Sequence, residues 1–192
     1  HGTTEYLLDS NGNEREQANY CYVPSTWAEN IVEQAEKDGL RLSYHTPYRL
    51  NIHRDEFCKL AWQTIQTVNP NINLPELAQP FSDCDEDIVR QIAALGIVTG
   101  YEDGTFQPTR ELSRQEAAVI LQRLYTVLYG KIEASPTLYA DNGSIGVWAK
   151  DSVYAMRQTG IMQGVGANRF DPKNGYTCEQ SIITMLRMTQ KA

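Results

Sequence analysis

Internal repetition restricts the fold of this 192-residue chain more than any other feature. Three stretches align with one another: Trp27-Ala28 to Gly39-Leu40, Cys84 to Gly96-Ile97, and Trp148-Ala149 to Gly160-Ile161. In each, the first position and the glycine are twelve residues apart. Self-similarity of this kind marks small units that cannot bury an apolar face alone and so must share one core.

The spacing within each stretch predicts a helix. Val32 and Ala35, Val89 and Ile92, and Val153 and Met156 fall in matching places on an inner face. Thr26 with Glu29, and Asp83 with Glu86, have the separation of a capping box, in which the first side chain accepts from an orphan N–H and the carboxylate answers. Gly39, Gly96 and Gly160 stand where a left-handed residue ends a helix, and Leu40, Ile97 and Ile161 supply the apolar contact that follows such a stop.

A second helix follows in each copy. In copy two, Ser113 and Glu116 form a capping box, while Ala117, Ile120, Leu121 and Leu124 recur at helical spacing. Copy one matches with Ile52-His53-Arg54-Asp55-Glu56-Phe57, then Leu60 and Ala61. Copy three matches with Tyr176-Thr177-Cys178-Glu179-Gln180-Ser181, then Met185 and Met188. The intervening loop repeats as well, since the Gly, Phe and Pro of Gly100–Pro108 recur in Gly164–Pro172 at an offset of 64, predicting the same turn, buried ring and rigid exit. Copy one departs here: its glycine and Arg54 are 15 residues apart instead of the 18 that separate Gly96 from Arg114, and Ser43 to Tyr48 replace the glycine turns. Its loop must be built differently.

The expected architecture is therefore all-α, three tandem helix-loop-helix repeats in one composite domain, with repeats at 25–69, 81–129 and 139–190. Asn69 to Pro80 and Gly130 to Leu138 have the composition of linkers. Residues 1–24 form an N-terminal extension with no counterpart elsewhere, in which Asn11-Gly12 marks a turn. Asp9-Ser10-Asn11-Gly12-Asn13 is a poor calcium loop, because its glycine comes too early and no Glu stands at the twelfth position.

Composition narrows the function. A net charge of −7, from 17 basic and 24 acidic residues, argues against nucleic acid, which requires a basic face. No apolar run approaches the roughly 18 residues of a membrane span, so membrane insertion is not expected. Beginning His1-Gly2-Thr3 without a signal segment, the sequence reads as an excised or processed piece. Cys21, Cys58, Cys84 and Cys178 lie far apart with no CxxC, against a zinc site and a dense disulfide framework; one disulfide, or Cys58 and Cys84 as small apolar fillers, are both open. No cofactor is expected. No catalytic residue is expected either: there is no nucleophile elbow, phosphate loop or HExxH, and the carboxylates mostly fall at caps and solvent faces.

Residues 96 to 118, with Gly-Ile-Val-Thr-Gly-Tyr-Glu-Asp-Gly-Thr-Phe-Gln-Pro and then Leu-Ser-Arg-Gln-Glu-Ala-Ala, resemble the S-layer homology repeat; Trp148 to Met188 resembles a more diverged copy. Copy one shares mainly Trp-Ala, Gly39 and His53 to Phe57. The resemblance implies a pseudo-threefold bundle with ligand grooves between neighbouring repeats. It implies non-covalent binding of a cell-wall polysaccharide, a secondary cell-wall polymer often bearing pyruvate ketals, by part of a larger surface protein outside a Gram-positive or related bacterium. A scaffold for protein–protein interaction or domain spacing is the competing function.

The family's arginine matches Arg54 and Arg114, and its loop glycines match Gly100 and Gly104. A cation in the first turn runs against the helix dipole, and a repeated choice of that kind points to an external anion, which a guanidinium fork and free N–H groups at a helix start would suit. Pairing with a nearby Asp or Glu, or covering apolar surface, is the alternative. Trp27 and Trp148 share one repeat position and read first as core, since they open an amphipathic helix, and second as sugar platforms. Tyr101, with Asp103 in the same turn, is the preferred platform. Copy three has Cys178 in the arginine position, so at most two of three grooves should bind, the one using Arg114 best.

Overall fold

The computed structural model describes residues 6–8, 14–16, 21–42 and 46–191. The Asn11-Gly12 turn, the Asp9 to Asn13 stretch and Ser43 to His45 of the first loop lie outside the described residues. A short antiparallel hairpin, β1 (Tyr6–Leu8) with β2 (Glu14–Glu16), comes first, and Leu7 stands opposite Arg15. The rest of the fold is helical. Its helices are α1 (Glu29–Lys37), α2 (Arg54–Val68), α3 (Asp87–Ala94), α4 (Arg114–Tyr129), α5 (Lys150–Gln158) and α6 (Cys178–Thr189). None among the described residues is long and apolar enough to cross a membrane.

The helices fall into pairs, a short one and then a longer one. Gly39, Gly96 and Gly160 end the short helices at φ of +89°, +74° and +74°, conformations that cost a residue with a Cβ about 1 kcal/mol or more. After each stop the chain turns inward. Leu40 N donates to Ala35 O and Ile97 N to Ile92 O, and both side chains are fully buried together with Ile161.

Only some helix starts follow the capping chemistry of the sequence. At α4, Ser113 Oγ accepts from Glu116 N while the Glu116 carboxylate accepts from Ser113 N, as the spacing predicts. His53 and Glu56 make a similar box at α2. The boxes expected at Thr26–Glu29 and Asp83–Glu86 do not form: α1 starts after Ala28 and α3 after Glu86, neither with a side-chain cap. Asp83 is drawn away by stronger partners, the backbone N–H groups of Phe106 (2.7 Å) and Gln107 (2.8 Å).

Packing runs in a circle. α3 lies on α2, α5 lies on α4, and α1 lies on α6, so each short helix covers the long helix of the pair before it and the first pair closes onto the last. Backbone bonds at the centre follow the same rule: Leu112 N donates to Ile52 O (3.1 Å), Tyr176 N to Leu112 O (2.9 Å), and Ile52 N to Tyr176 O (2.8 Å). All three side chains are buried, with Phe57 set edge-on to Tyr176. The helical faces read from the sequence, including Val32, Val89, Val153, Leu60, Leu124, Met185 and Met188, line this shared core.

Because Leu112 sits at the meeting point of all three pairs, Leu112→Ala should cost about 2–5 kcal/mol. Val147→Ala, at a position 86% exposed, should stay within about 0.5 kcal/mol. Urea denaturation of the two variants checks the contrast.

Candidate functional site

Each arginine singled out in the sequence reaches across to the next helix pair. Arg54, 8% exposed, donates through Nε to Phe106 O (2.9 Å) and through Nη2 to Thr99 O (3.0 Å). Arg114, 4% exposed, repeats this with Phe170 O (2.8 Å) and Gln163 O (2.9 Å), and Nη1 reaches Gln180 Oε1 at 3.3 Å. Each guanidinium also lies over the ring of the phenylalanine whose carbonyl it holds, at 4.5 Å for Arg54 over Phe106 and 5.0 Å for Arg114 over Phe170. The arginines therefore brace the loop of the following pair against their own helix. They do so through main-chain carbonyls; among the described residues neither forms an ion pair with a carboxylate, while each covers an apolar ring, as the second half of the alternative has it. Burial lowers the pKa of Arg114, but a guanidinium starts from so high a value that it keeps its charge.

The helix starts are not free to bind an anion. Arg54 N and Asp55 N donate to Arg110 O and Pro108 O; Arg114 N and Gln115 N donate to Asn174 O and Pro172 O. At α6, Cys178 N and Glu179 N donate to Leu50 O and Tyr48 O. These orphan donors are satisfied by the neighbouring loop, so the free N–H groups expected from the sequence are already used.

The loops are held from the other side by two aspartates that sequence reasoning missed as loop ligands. Asp83 accepts from Phe106 N and Gln107 N, and Asp141 accepts from Phe170 N (2.9 Å) and Asp171 N (2.7 Å). The signal was present, because each aspartate stands two residues after an aromatic, Phe81 or Tyr139, that packs on the loop phenylalanine at 5.1 or 5.5 Å. Hydrogen bonds from Phe106 and Gln107 lower the pKa of Asp83. For Asp141, burial raises the pKa, but the Phe170 and Asp171 bonds outweigh it and the net shift is downward.

Within the loop, a Cβ on Gly100 would meet the Phe81 ring at 2.7 Å, so packing alone accounts for that glycine. Gly104 has φ of +80°, and Asp103 Oδ1 accepts from Thr105 N (3.0 Å) and Thr105 Oγ1 (2.7 Å) to close the turn. Tyr101 is half-buried, with the guanidinium groups of Arg54 and Arg110 at 5.0 and 5.6 Å from its ring centre and its hydroxyl accepting from Arg110. Its ring is thus already engaged by cations.

Trp27 and Trp148 overturn the core reading. They are 59% and 61% exposed, because Ala28 and Ala149 turn inward in their place. Each tryptophan lies beside an arginine of a different pair. One groove, of about 160 Å3, is lined by Arg54, Thr99, Glu116, Arg123 and Trp148. The other, of about 400 Å3, is lined by Arg114, Gln163, Gln180, Arg187 and Trp27. Thr99 and Gln163, Glu116 and Gln180, and Arg123 and Arg187 stand at the same offset of 64 as the loops. The two hollows are built from equivalent positions.

The third such junction has neither group. Cys178 is fully buried where the arginine would be, and burial and the nearby Glu56 push its thiol pKa up to about 12. Cys84, in the tryptophan position, is also buried. Gln63 bridges to both the N–H and the carbonyl of Arg41, and the Glu179 carboxylate accepts from Ser25 N and Ser25 Oγ, each at 2.8 Å. Among the described residues, Cys58, Cys84 and Cys178 form no disulfide.

The S-layer homology domain model matches residues 82–118 and 143–175. Both segments are similar to S-layer homology sequence. They cover the loops that Arg54 and Arg114 hold, together with the start of α4. Among similar proteins, an S-layer protein of Bacillus thuringiensis subsp. finitimus is 33% identical over 52% of the chain and 12% of its own length. An endoglucanase of Bacillus sp. (strain KSM-635) is 32% identical over 53% of the chain and 11% of its own length. An amylopullulanase of Thermoanaerobacterium thermosulfurigenes is 23% identical over 88% of the chain and 9% of its own length. The chain thus spans about a tenth of the length of these relatives, which are named as a surface-layer protein and as large enzymes.

Two outcomes follow from the braced loops. Arg114→Ala should destabilise the fold by about 2–4 kcal/mol, since the Phe170 and Gln163 carbonyls lose charged donors, a loss measured by thermal denaturation. Asp83 and Asp141 titrate below the ordinary 3.8, so their stabilisation is present above that value and is lost as the pH falls through their lower folded values. Melting temperature followed downward from about pH 6 should fall more steeply for the native sequence than for an Asp83→Asn/Asp141→Asn double variant.

Proposed function

We propose that this chain is a non-covalent cell-wall anchoring module of a larger extracellular protein. In this reading it is built from three S-layer homology repeats at 25–69, 81–129 and 139–190, set about a pseudo-threefold axis. Its ligand is a secondary cell-wall polymer that bears pyruvate ketals. The closed circle of helix packing and central backbone bonds supports the threefold arrangement. The function rests on one observation above all: two grooves of equivalent construction each pair an exposed tryptophan with arginines. An indole held open to solvent beside guanidinium groups suits a sugar ring that carries an acidic substituent.

Relatives named as S-layer proteins and as a cell surface glycoprotein support placement at the cell surface. The endoglucanase and the amylopullulanase share only about a tenth of their length with the chain, a fraction suited to a common accessory module and not to their catalysis. Trp27, Trp148 and the two arginines are the proposed contact residues, with Gly100, Tyr101, Asp103 and Gly104 shaping the loop that follows Thr99 of the Arg54 groove and lining neither groove themselves.

Co-sedimentation with purified bacterial sacculi tests the proposal. The chain should pellet with intact sacculi and stay in solution after the polymer has been chemically stripped. A Trp27→Ala/Trp148→Ala variant should fold normally, since both rings are largely exposed, and should bind at least about tenfold more weakly. Equal retention by stripped sacculi would exclude the polymer as the ligand.

A further inference from the structure

A third cavity, of about 390 Å3, is built by the last helix pair alone and not between pairs. Tyr139, Arg157, Gln163, Asn168 and Arg169 line it, and three glycines complete the wall. Its charged groups are peculiar to this copy. The offset of 64 puts Ala93, Gly104 and Thr105 of the preceding copy where Arg157, Asn168 and Arg169 stand here, and Phe81 takes the place of Tyr139. None of those four matching positions carries a charge. One hydroxyl and two guanidinium groups thus come together in a single hollow of the third copy.

Tyr139 supplies the observation that points to a ligand. It is 4% exposed, its ring packs on Phe170 as Phe81 packs on Phe106, and its hydroxyl is buried with no hydrogen-bond partner. A buried hydroxyl left unpaired is costly, and phenylalanine fills the matching place in the preceding copy without that cost. The Arg157 guanidinium lies over the Tyr139 ring, 4.4 Å from its centre, and otherwise makes one long contact of 3.4 Å to Asn168 Oδ1. Asn168 is fixed in turn, since its Nδ2 donates to Leu138 O at 3.0 Å. The charges around the cavity do not cancel. No carboxylate lines it. The neighbouring acids, Asp141 and Asp171, lie 3.8 and 3.6 Å from Arg169. Both also face Arg114: burial lowers the pKa of that arginine, while Tyr176, Asp171 and Asp141 oppose the change. Two acids are therefore shared between two arginines, and among the described residues Arg157 is left without a carboxylate partner.

We infer that this cavity is an anion site that takes a phosphate group, free or carried at the end of a larger molecule. Two planar guanidinium forks and a phenolic O–H, brought in from α5, from the loop and from the segment before α5, match the several oxygens of a tetrahedral anion better than the two of a carboxylate. Arg157 turns from the ring toward the anion, and the Tyr139 hydroxyl gains the acceptor that the protein does not supply. The site shares only Gln163 and Gly164 with the Arg114 groove and does not depend on the anchoring proposal.

Calorimetric titration with inorganic phosphate at constant ionic strength tests the site. The native chain should bind one phosphate, and should bind acetate at least about tenfold more weakly. Tyr139→Phe supplies the ring found at Phe81 and removes only the unpaired hydroxyl. In phosphate-free buffer its melting temperature should be no lower than that of the native chain, while its affinity for phosphate should fall by about tenfold or more. Arg157→Ala should lose affinity by a similar factor. Glycerol phosphate separates the two sources: tighter binding than inorganic phosphate identifies an ester, and equal or weaker binding the free ion. Equal affinity of the native and Tyr139→Phe chains for phosphate would overturn the inference, as would acetate bound as tightly as phosphate, or no binding of phosphate at all. Each of these results would leave the anchoring proposal standing.

Discussion

Everything in this fold depends on a closed circle of main-chain hydrogen bonds. The backbones at Ile52, Leu112 and Tyr176 each donate to one neighbour and accept from the other, at a point where no regular sheet or helix could satisfy them. Closure of that circle fixes where α2, α4 and α6 begin, and therefore which loop lies over each helix start. A short helix pair has too little apolar surface to fold alone. Joined at this centre, the pairs bury a single core that runs from Ala28 near the beginning of the described chain to Met188 near its end.

The arginine braces extend the same arrangement outward. Arg54 and Arg114 each join a helix of one pair to the loop of the next, through two carbonyls and a ring face, and Asp83 and Asp141 grip the same loops by their N–H groups. A loop held by a cation on its carbonyls and an anion on its amides has little freedom left, so the groove wall it forms is preorganised for a ligand. The grooves are a consequence of how the pairs are joined, and the two described here both stand at a braced junction. Where Cys178 replaces the arginine, contacts from Gln63 and Glu179 fill the junction and the two ends of the circle are clasped instead.

That inequality gives the molecule its directional character. Two junctions combine an exposed indole with guanidinium groups, and one combines neither. Between the two open grooves, Glu116 bonds back to its own helix cap at Ser113, whereas the Gln180 side chain reaches across to Arg114.

The amino-acid sequence by itself determined the periodic part of this protein. Glycine stops at 39, 96 and 160, the apolar faces from Val32 to Met188, the Ser113–Glu116 cap and the buried Phe106 and Phe170 were all legible, because each depends on neighbours three to five residues away or on burial in a repeat. Groove inequality was legible in outline from Cys178. Tertiary structure alone decided what the polar residues do. Asp83 has the spacing of a cap, yet it holds a loop more than twenty residues onward. The N–H groups at the helix starts look free in one dimension and are taken up by the adjoining pair. Trp27 and Trp148 open amphipathic helices as core residues would, yet the alanine after each turns inward and leaves the indole in solvent. Local spacing fixes helices because helical bonds are local; a charge or a ring finds its partner across the junction, and only the closed circle of pairs brings that partner into reach.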